Sequence, residues 1–234
     1  MTQSPIAEPT PDFVEVEDIQ CPPTDLWSDE PPLESDFHRD QISLLIDILR
    51  EWWRDRQDVY VSGNLTVYYN EQQLKSRDFR GPDFFVVLGT ENKPRKSWVV
   101  WGEDGRYPNL IVEILSASTA QVDRGLKKEL YQNTFRTPDY FLFDPNTAAL
   151  EGFHLVDGRY EPIPANGRGH LWSQQLELYL GVDESTLRFF TPEGALLPTS
   201  REAADQARSR AEQAEAEITR LKARLREQGV EVDD

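Results

Sequence analysis

Glu113 stands in the segment NLIVEILSAS, a carboxylate inside an otherwise apolar strand-like run. Burying it costs several kcal/mol unless it meets a partner. A divalent cation is one such partner, because hard cations prefer carboxylate oxygens and two acids at neighbouring strand ends make a seat for Mg²⁺, with Mn²⁺ as a substitute. The segment GPDFF supplies the second acid, Asp83, at the opening of another strand-like run. If the two strands pair, Asp83, Glu113 and the backbone carbonyl of Ile114 can converge on one ion. Lys127 adds a cation, with Asp123 four residues before it and Tyr131 four after, so all three share one helical face. Leu126 and Leu130 share the adjoining face, which would suit packing on a sheet. A lysine near a metal-bound water can orient that water and neutralise charge growing on a phosphoryl oxygen. Two acids, a metal and a lysine suit phosphodiester hydrolysis.

The same residues have plainer explanations when taken singly. Glu113 would be satisfied by an ion pair with Lys127, Lys128 or an arginine, and Lys127 by a surface salt bridge with Asp123. Only the three together favour chemistry. Pro-Asp carries no weight alone, since Pro138-Asp139 repeats it. His38, His154 and His170 lack metal-ligand spacing, and Ser116 and Ser118 lack a nucleophile elbow with a matching histidine. Arg77, Arg80, Lys93, Arg95 and Lys96 flank the Asp83 strand and form a local basic rim where DNA could approach. Trp98, Trp101 and Tyr107 in the same stretch suit base stacking or, more commonly, cross-strand packing.

Positioning these groups falls to a short series of elements. Phe37, Ile42, Leu45, Ile46, Leu49 and Trp53 make a helical stripe over about Asp36 to Asp55. Strand-like runs follow at Val59 to Tyr69, Pro82 to Leu88 and Leu110 to Leu115, the last apolar on both faces apart from Glu113 and therefore central. The stretch KSWVVWGEDGRYP, with turn chemistry at Asp104-Gly105, reads as a hairpin insertion. A second helix spans about Ala120 to Thr134, opened by Ser118 or Thr119 and stopped before Pro138. A strand at Tyr140 to Phe143 comes next, then two strands about Asp157-Gly158 and further short strands to Phe190. From Arg201 to Gln228, Ala204, Ala207, Ala211, Ala214, Ile218, Leu221 and Leu225 alternate at spacings of three and four, a short coiled-coil seam suited to a homodimer or to packing on its own domain.

The chain has 234 residues and a formal charge of -17, of which residues 1–35 carry -9 with no Lys or Arg, leaving -8 for the rest. That segment also holds seven prolines, so it reads as a largely unpacked tail, with Leu26 and Trp27 among the few residues able to dock. The net charge argues against a broad electropositive footprint for nucleic acid. One cysteine, Cys21, excludes an internal disulfide, and the absence of a signal-like start or a long apolar run makes a reducing cytoplasm the expected compartment, with no membrane partner.

The order helix, three strands, helix, strand, with GPD, then VEILSAST, then DRGLKKELYQNTFRTPDYFLFDP, resembles the PD-(D/E)XK restriction-endonuclease-like superfamily and, within it, the Uma-two-type endonucleases abundant in cyanobacteria. The likeness runs from about Asp36 to Thr199. It implies an α/β restriction-endonuclease-like core with a β-rich extension and a C-terminal helix, divided as a 1–35 tail, a 36–199 domain and a 200–234 helical tail. It implies a Mg²⁺-dependent endonuclease acting on DNA, with Asp83 and Glu113 as metal ligands and Lys127 as catalytic lysine. Asp123 and Tyr131 would support them, Ser116 and Ser118 would lie in the loop beside the site, and Asp36, His38 or Asp40 would reach its rim. The chain departs from the pattern at Leu115, where the superfamily's lysine usually stands two residues after the acid. Asn109 replaces a second common acid, and Ala117 a common proline. A catalytically inactive nuclease fold serving as a binding or scaffold module is the alternative.

Overall fold

The computed structural model describes residues 22–30, 33, 35–70 and 81–228, with the backbone alone at 225 and 226. Helix α1 (Asp36–Trp52) begins at Ser35, whose hydroxyl accepts from the His38 amide. Six strands form the main sheet: β1 (Val59–Gly63), β3 (Phe84–Leu88), β5 (Leu110–Ile114), β6 (Asp139–Asp144), β7 (Ala149–Val156) and β8 (Arg159–Pro162), side by side in that order. Only β5 and β6 run parallel; the other neighbours are antiparallel. Between β5 and β6 the chain crosses over through α2 (residues 120–135), as a parallel pair requires. Strands β9 (Leu171–Ser173), β10 (Leu178–Asp183) and β11 (Thr186–Phe190) make a second antiparallel sheet, and α3 (Ser200–Glu227) ends the described chain.

Alternation along β5 sorts the core into two layers. Leu110, Val112 and Ile114 pack with Ile42, Leu45, Ile48 and Leu49 of α1 and with the second sheet. Ile111 and Leu115 face the other way, toward Tyr131 and Phe135 of α2 and toward Trp98. Glu113 shares that second face. Gln41 ties α1 to β11 by donating to the Leu187 carbonyl and accepting from its amide, both at 2.9 Å.

Several elements differ from expectation. The run Val59 to Tyr69 breaks at Asn64, which adopts the left-handed conformation (φ 46°), so that β1 and a separate β2 (Val67–Tyr68) form. The stretch KSWVVWGEDGRYP is not a hairpin. Its β4 (Trp98–Val99) pairs parallel with β2, one 3₁₀ turn follows at Val100–Gly102, and the return through Arg106 is fixed because its carbonyl accepts from the buried Trp98 indole at 2.8 Å. Asp104 and Gly105 do take the left-handed turn conformation. Leu126, expected against the sheet, is 63% exposed. Its displacement follows from α2 itself, where Asp123–Lys127 and Tyr131–Phe135 are π turns that rotate the polar face of the helix inward.

Asp139, in the second Pro-Asp, is fully buried and holds three elements together. It accepts from His154 Nδ1 and Ser173 Oγ, each at 2.6 Å, and from the Gln175 amide at 3.0 Å. Replacing Asp139 by Ala leaves these donors without an acceptor. The expected loss is about 3 kcal/mol of unfolding free energy, read by denaturant titration, while Asp139→Asn loses less.

Candidate functional site

The register of β3 on β5 pairs Phe84 with Val112, so the preceding residue, Asp83, falls opposite Glu113. The two acids meet through the backbone. Glu113 Oε2 accepts from the Asp83 amide at 3.3 Å, and Asp83 Oδ2 accepts from the Ile114 amide at 2.7 Å. Glu113 has no exposed surface, whereas the Asp83 side chain is 20% exposed and forms the opening of the cluster to solvent.

The π turns of α2 deliver the rest. Lys127 Nζ lies 2.9 Å from Glu113 Oε2 and 3.1 Å from Asp123 Oδ1, and the Tyr131 hydroxyl donates to Glu113 Oε1 at 2.8 Å. Tyr140, buried beneath, donates to the Asp123 carbonyl. Asp83, Glu113, Asp123, Lys127 and Tyr131 are thus brought together. Lys128, the competing lysine, sits on another face with its Nζ 3.2 Å from the centre of the Phe153 ring.

Helix α1 contributes His38, whose Nε2 is 3.2 Å from Asp83 Oδ2. Asp36 and Asp40 do not join; both pair with Arg39 at the surface. Ser116 and Ser118 bond to each other at 2.9 Å, and Ser116 also bonds to Thr119, building the turn into α2. The basic rim is neutralised within the chain where it is described: Lys93 pairs with Glu91, Arg95 with Glu103 and Lys96 with Asp25. Arg77 and Arg80 lie outside the described residues. Trp98 is fully buried against Tyr60, so it packs rather than stacks on bases.

One acid escaped the sequence reading. Residues 22–30 lie along β2 and β4, held by the Ser28 amide on the Lys96 carbonyl, the Ser97 hydroxyl on Leu26, and the Tyr68 hydroxyl on Trp27. Docking is polar; the Trp27 ring stays 72% exposed. At the end of this segment Glu30 Oε1 accepts from the buried Thr66 hydroxyl at 2.9 Å, and its carboxyl rests on Gly81, two residues before Asp83. The signal available in the sequence was the proline-bounded acidic run itself, which composition assigns to solvent.

Burial pushes the Glu113 carboxyl up to about 8; Lys127 opposes the shift, while Asp83 and Asp123 reinforce it. Asp123 is also raised by burial, against Lys127 and Thr119. For Lys127, burial alone would lower the ammonium, but Glu113, Asp123 and Asp83 outweigh it and hold it above the usual lysine range. Perturbed groups clustered in this way make a candidate functional centre, although structural ion-pair networks perturb such groups as well.

Family comparison gives this geometry a context. The Uma2 family, described as "Putative restriction endonuclease", matches residues 25–188, well over half of the chain. The chain belongs to the Uma2 family. A curated relative, the "Uncharacterized protein slr1290" of Synechocystis sp., is 28% identical over 86 residues, which span 37% of this chain and 42% of that protein. A crystal structure titled as a "putative nuclease belonging to DUF820", from Anabaena variabilis, aligns at 15% identity with a TM-score of 0.46, covering 64% of this chain and 80% of the other. The Uma2 match begins at residue 25, inside the docked segment that carries Glu30. Among the described residues, no helix is long and apolar enough to cross a membrane.

The Glu113 shift has a measurable consequence. Burial raises the folded-state Glu113 carboxyl from its ordinary value of 4.5 to about 8. Between those limits the folded state holds more protons than the unfolded, so the contribution is largest below pH 4.5 and is lost as pH rises toward 8, at up to about 1.4 kcal/mol per unit. Raised Lys127 adds stability that persists through this window and is lost only above its unfolded value. Thermal denaturation of metal-free protein between pH 5 and 8 is expected to slope downward, and Glu113→Gln to flatten that slope.

Proposed function

We propose that this Uma2 chain is a metal-dependent endodeoxyribonuclease hydrolysing DNA phosphodiester bonds. The observation that supports it is an imbalance of charge. Among the described residues, Glu113, Asp83, Asp123 and Glu30 gather around a single lysine, with His38 also beside Asp83. Buried carboxylates in excess of cations are expensive, and a divalent ion relieves that cost. The donors fit a hard cation in kind, being carboxylate oxygens beside a strand carbonyl. Among the described residues, however, no three His, Cys, Asp or Glu side chains are already arranged as a ligand shell.

In this reading Asp83, Glu113 and the Ile114 carbonyl hold Mg²⁺, or Mn²⁺ in its place. The ion supplies a lowered pKa for water and a counter-charge for the phosphoryl oxygens. Lys127 keeps its ammonium charged through contact with Glu113 and Asp123, and so can face charge developing on the substrate without proton exchange. Asp123 fixes the lysine from its own helix, and Tyr131 orients Glu113 from the side away from Asp83. Ser116 and Ser118 shape the adjoining turn. Action on both strands of a duplex would follow from a homodimer joined through α3, where Ile218 and Leu221 are exposed. We place its work in the cytoplasm.

A second reading has an observation of its own. Both Glu113 oxygens are engaged, one by Lys127 and one by Tyr131. An acid so satisfied is compatible with a nuclease fold retained as a binding or scaffold module.

Calorimetric titration with Mn²⁺, followed by plasmid cleavage, separates the two. Wild type is expected to give binding heat that Asp83→Ala and Glu113→Ala abolish. Lys127→Ala is expected to retain the heat within a few-fold and to cleave about 10² to 10³ times more slowly. Lys128→Ala should cleave normally. Heat surviving both acid substitutions, or no cleavage by wild type with bound metal, favours the scaffold reading.

A further inference from the structure

The docked segment 22–30 ends beside the acid cluster without belonging to any element of the sheet. Its last contacts are specific. Thr66, fully buried, receives the Asp29 amide at 2.9 Å, meets the Ser28 hydroxyl at 3.1 Å and donates to Glu30 Oε1 at 2.9 Å. One threonine hydroxyl therefore serves three consecutive residues and fixes the position of residues 28–30 relative to β2. Gly81 fixes the other side. A Cβ at that position would come within 2.5 Å of Glu30 Cδ and Oε1, so glycine is what lets the carboxyl lie flat on the backbone leading to Asp83. The charges of Lys127 and Asp83 both reach this carboxyl. An aligned, half-buried acid beside a centre already rich in acid is costly where an unbonded surface position would cost nothing.

We propose that Glu30 is a fourth carboxylate of this centre, beside Asp83, Glu113 and Asp123, delivered by the docked segment, and that its negative charge sets how tightly the centre takes a divalent cation. The inference rests on the metal-site reading above. Glu30 acts as a positioning residue: it raises the local negative potential that a cation meets at Asp83 and shares in holding the Lys127 ammonium nearby. The docked segment thereby becomes part of the site, and cation affinity depends on residues 22–30 keeping their place on β2 and β4.

Three variants test this by Mn²⁺ calorimetry, each first checked for an unchanged thermal unfolding midpoint in the absence of metal. Glu30→Gln removes the charge but can still accept from Thr66; it is expected to weaken Mn²⁺ about tenfold. Gly81→Ala keeps the charge but displaces the carboxyl through its flexible end, and is expected to weaken Mn²⁺ by a smaller factor. The double variant should bind no worse than Glu30→Gln alone, because the glycine matters only through the glutamate. Unchanged affinity in Glu30→Gln, with Asp83→Asn abolishing the heat, overturns the role of Glu30 and leaves the metal site standing. Heat unaffected in both removes the metal-site reading as well. Additive losses in the double variant overturn the proposed link between Gly81 and Glu30. Should Glu30→Gln lower the midpoint, Mn²⁺ affinity in Gly81→Ala at full stability decides, and wild-type affinity there overturns the proposal.

Discussion

A carboxylate with no exposed surface in the middle strand of a sheet is the constraint from which the site geometry follows. Glu113 could not be buried there by packing alone, since an uncompensated charge in that position costs several kcal/mol. Each neighbour meets part of this demand. Lys127 supplies charge, Tyr131 a hydroxyl donor and the Asp83 amide a third bond. Because two of these come from α2, the helix must present positions 127 and 131 to the sheet at the expense of Leu126. Its π turns are the local deformation that allows it.

The compensation is incomplete in a telling direction. Lys127 faces Glu113 and Asp123 together, and Asp83 and Glu30 add further negative charge within its reach. A purely structural ion pair would gain from one acid and one base of matched charge, and additional carboxylates would weaken it. The contrast with Asp139 is instructive. There a buried aspartate is matched by three donors, from β7, β9 and the turn after β9, with no second acid bonded to it among the described residues, and the result is a clamp between sheets. Asp139, saturated by donors, and Glu113, crowded by other acids, divide structure from candidate chemistry.

Much of this was legible in the sequence because it depends on periodicity. The central position of β5 follows from its apolar run, and Asp83 opposite Glu113 follows from short strands that admit few registers. The shared face of Asp123, Lys127 and Tyr131 follows from spacing by four. What escaped depends on interactions between distant segments. The parallel pairing of β2 with β4 hides behind the turn chemistry of Asp104-Gly105, which signals a reversal without naming the strand that will be joined. His38 was one of three rim candidates on α1, and what separates it from Asp36 and Asp40 is the packing of α1, which points it at Asp83 while the two acids pair with Arg39. Glu30 was hidden by composition, because prolines and acids read as solvated chain. Here that chain is held by backbone and hydroxyl bonds that need no apolar residue.

The docked segment also alters how the protein's charge should be understood. Three described cations near β3 and β4 are spent on acids of the same chain: Lys96 on Asp25 of the docked segment, Arg95 on Glu103, and Lys93 on Glu91. The two exposed pairs, Lys96–Asp25 and Lys93–Glu91, contribute little stability, so their main effect is to cancel positive potential at the surface, while Arg95 is buried against Glu103 and Tyr60. A polyanion nearing the centre therefore meets carboxylates without a compensating basic patch among these residues. Under the metal-site proposal, a cation held at the acid cluster would supply attraction there. It would satisfy buried charge and invert the local potential in a single binding event. Metal occupancy and substrate approach would then be coupled by electrostatics alone, with no conformational change required of the sheet that carries them.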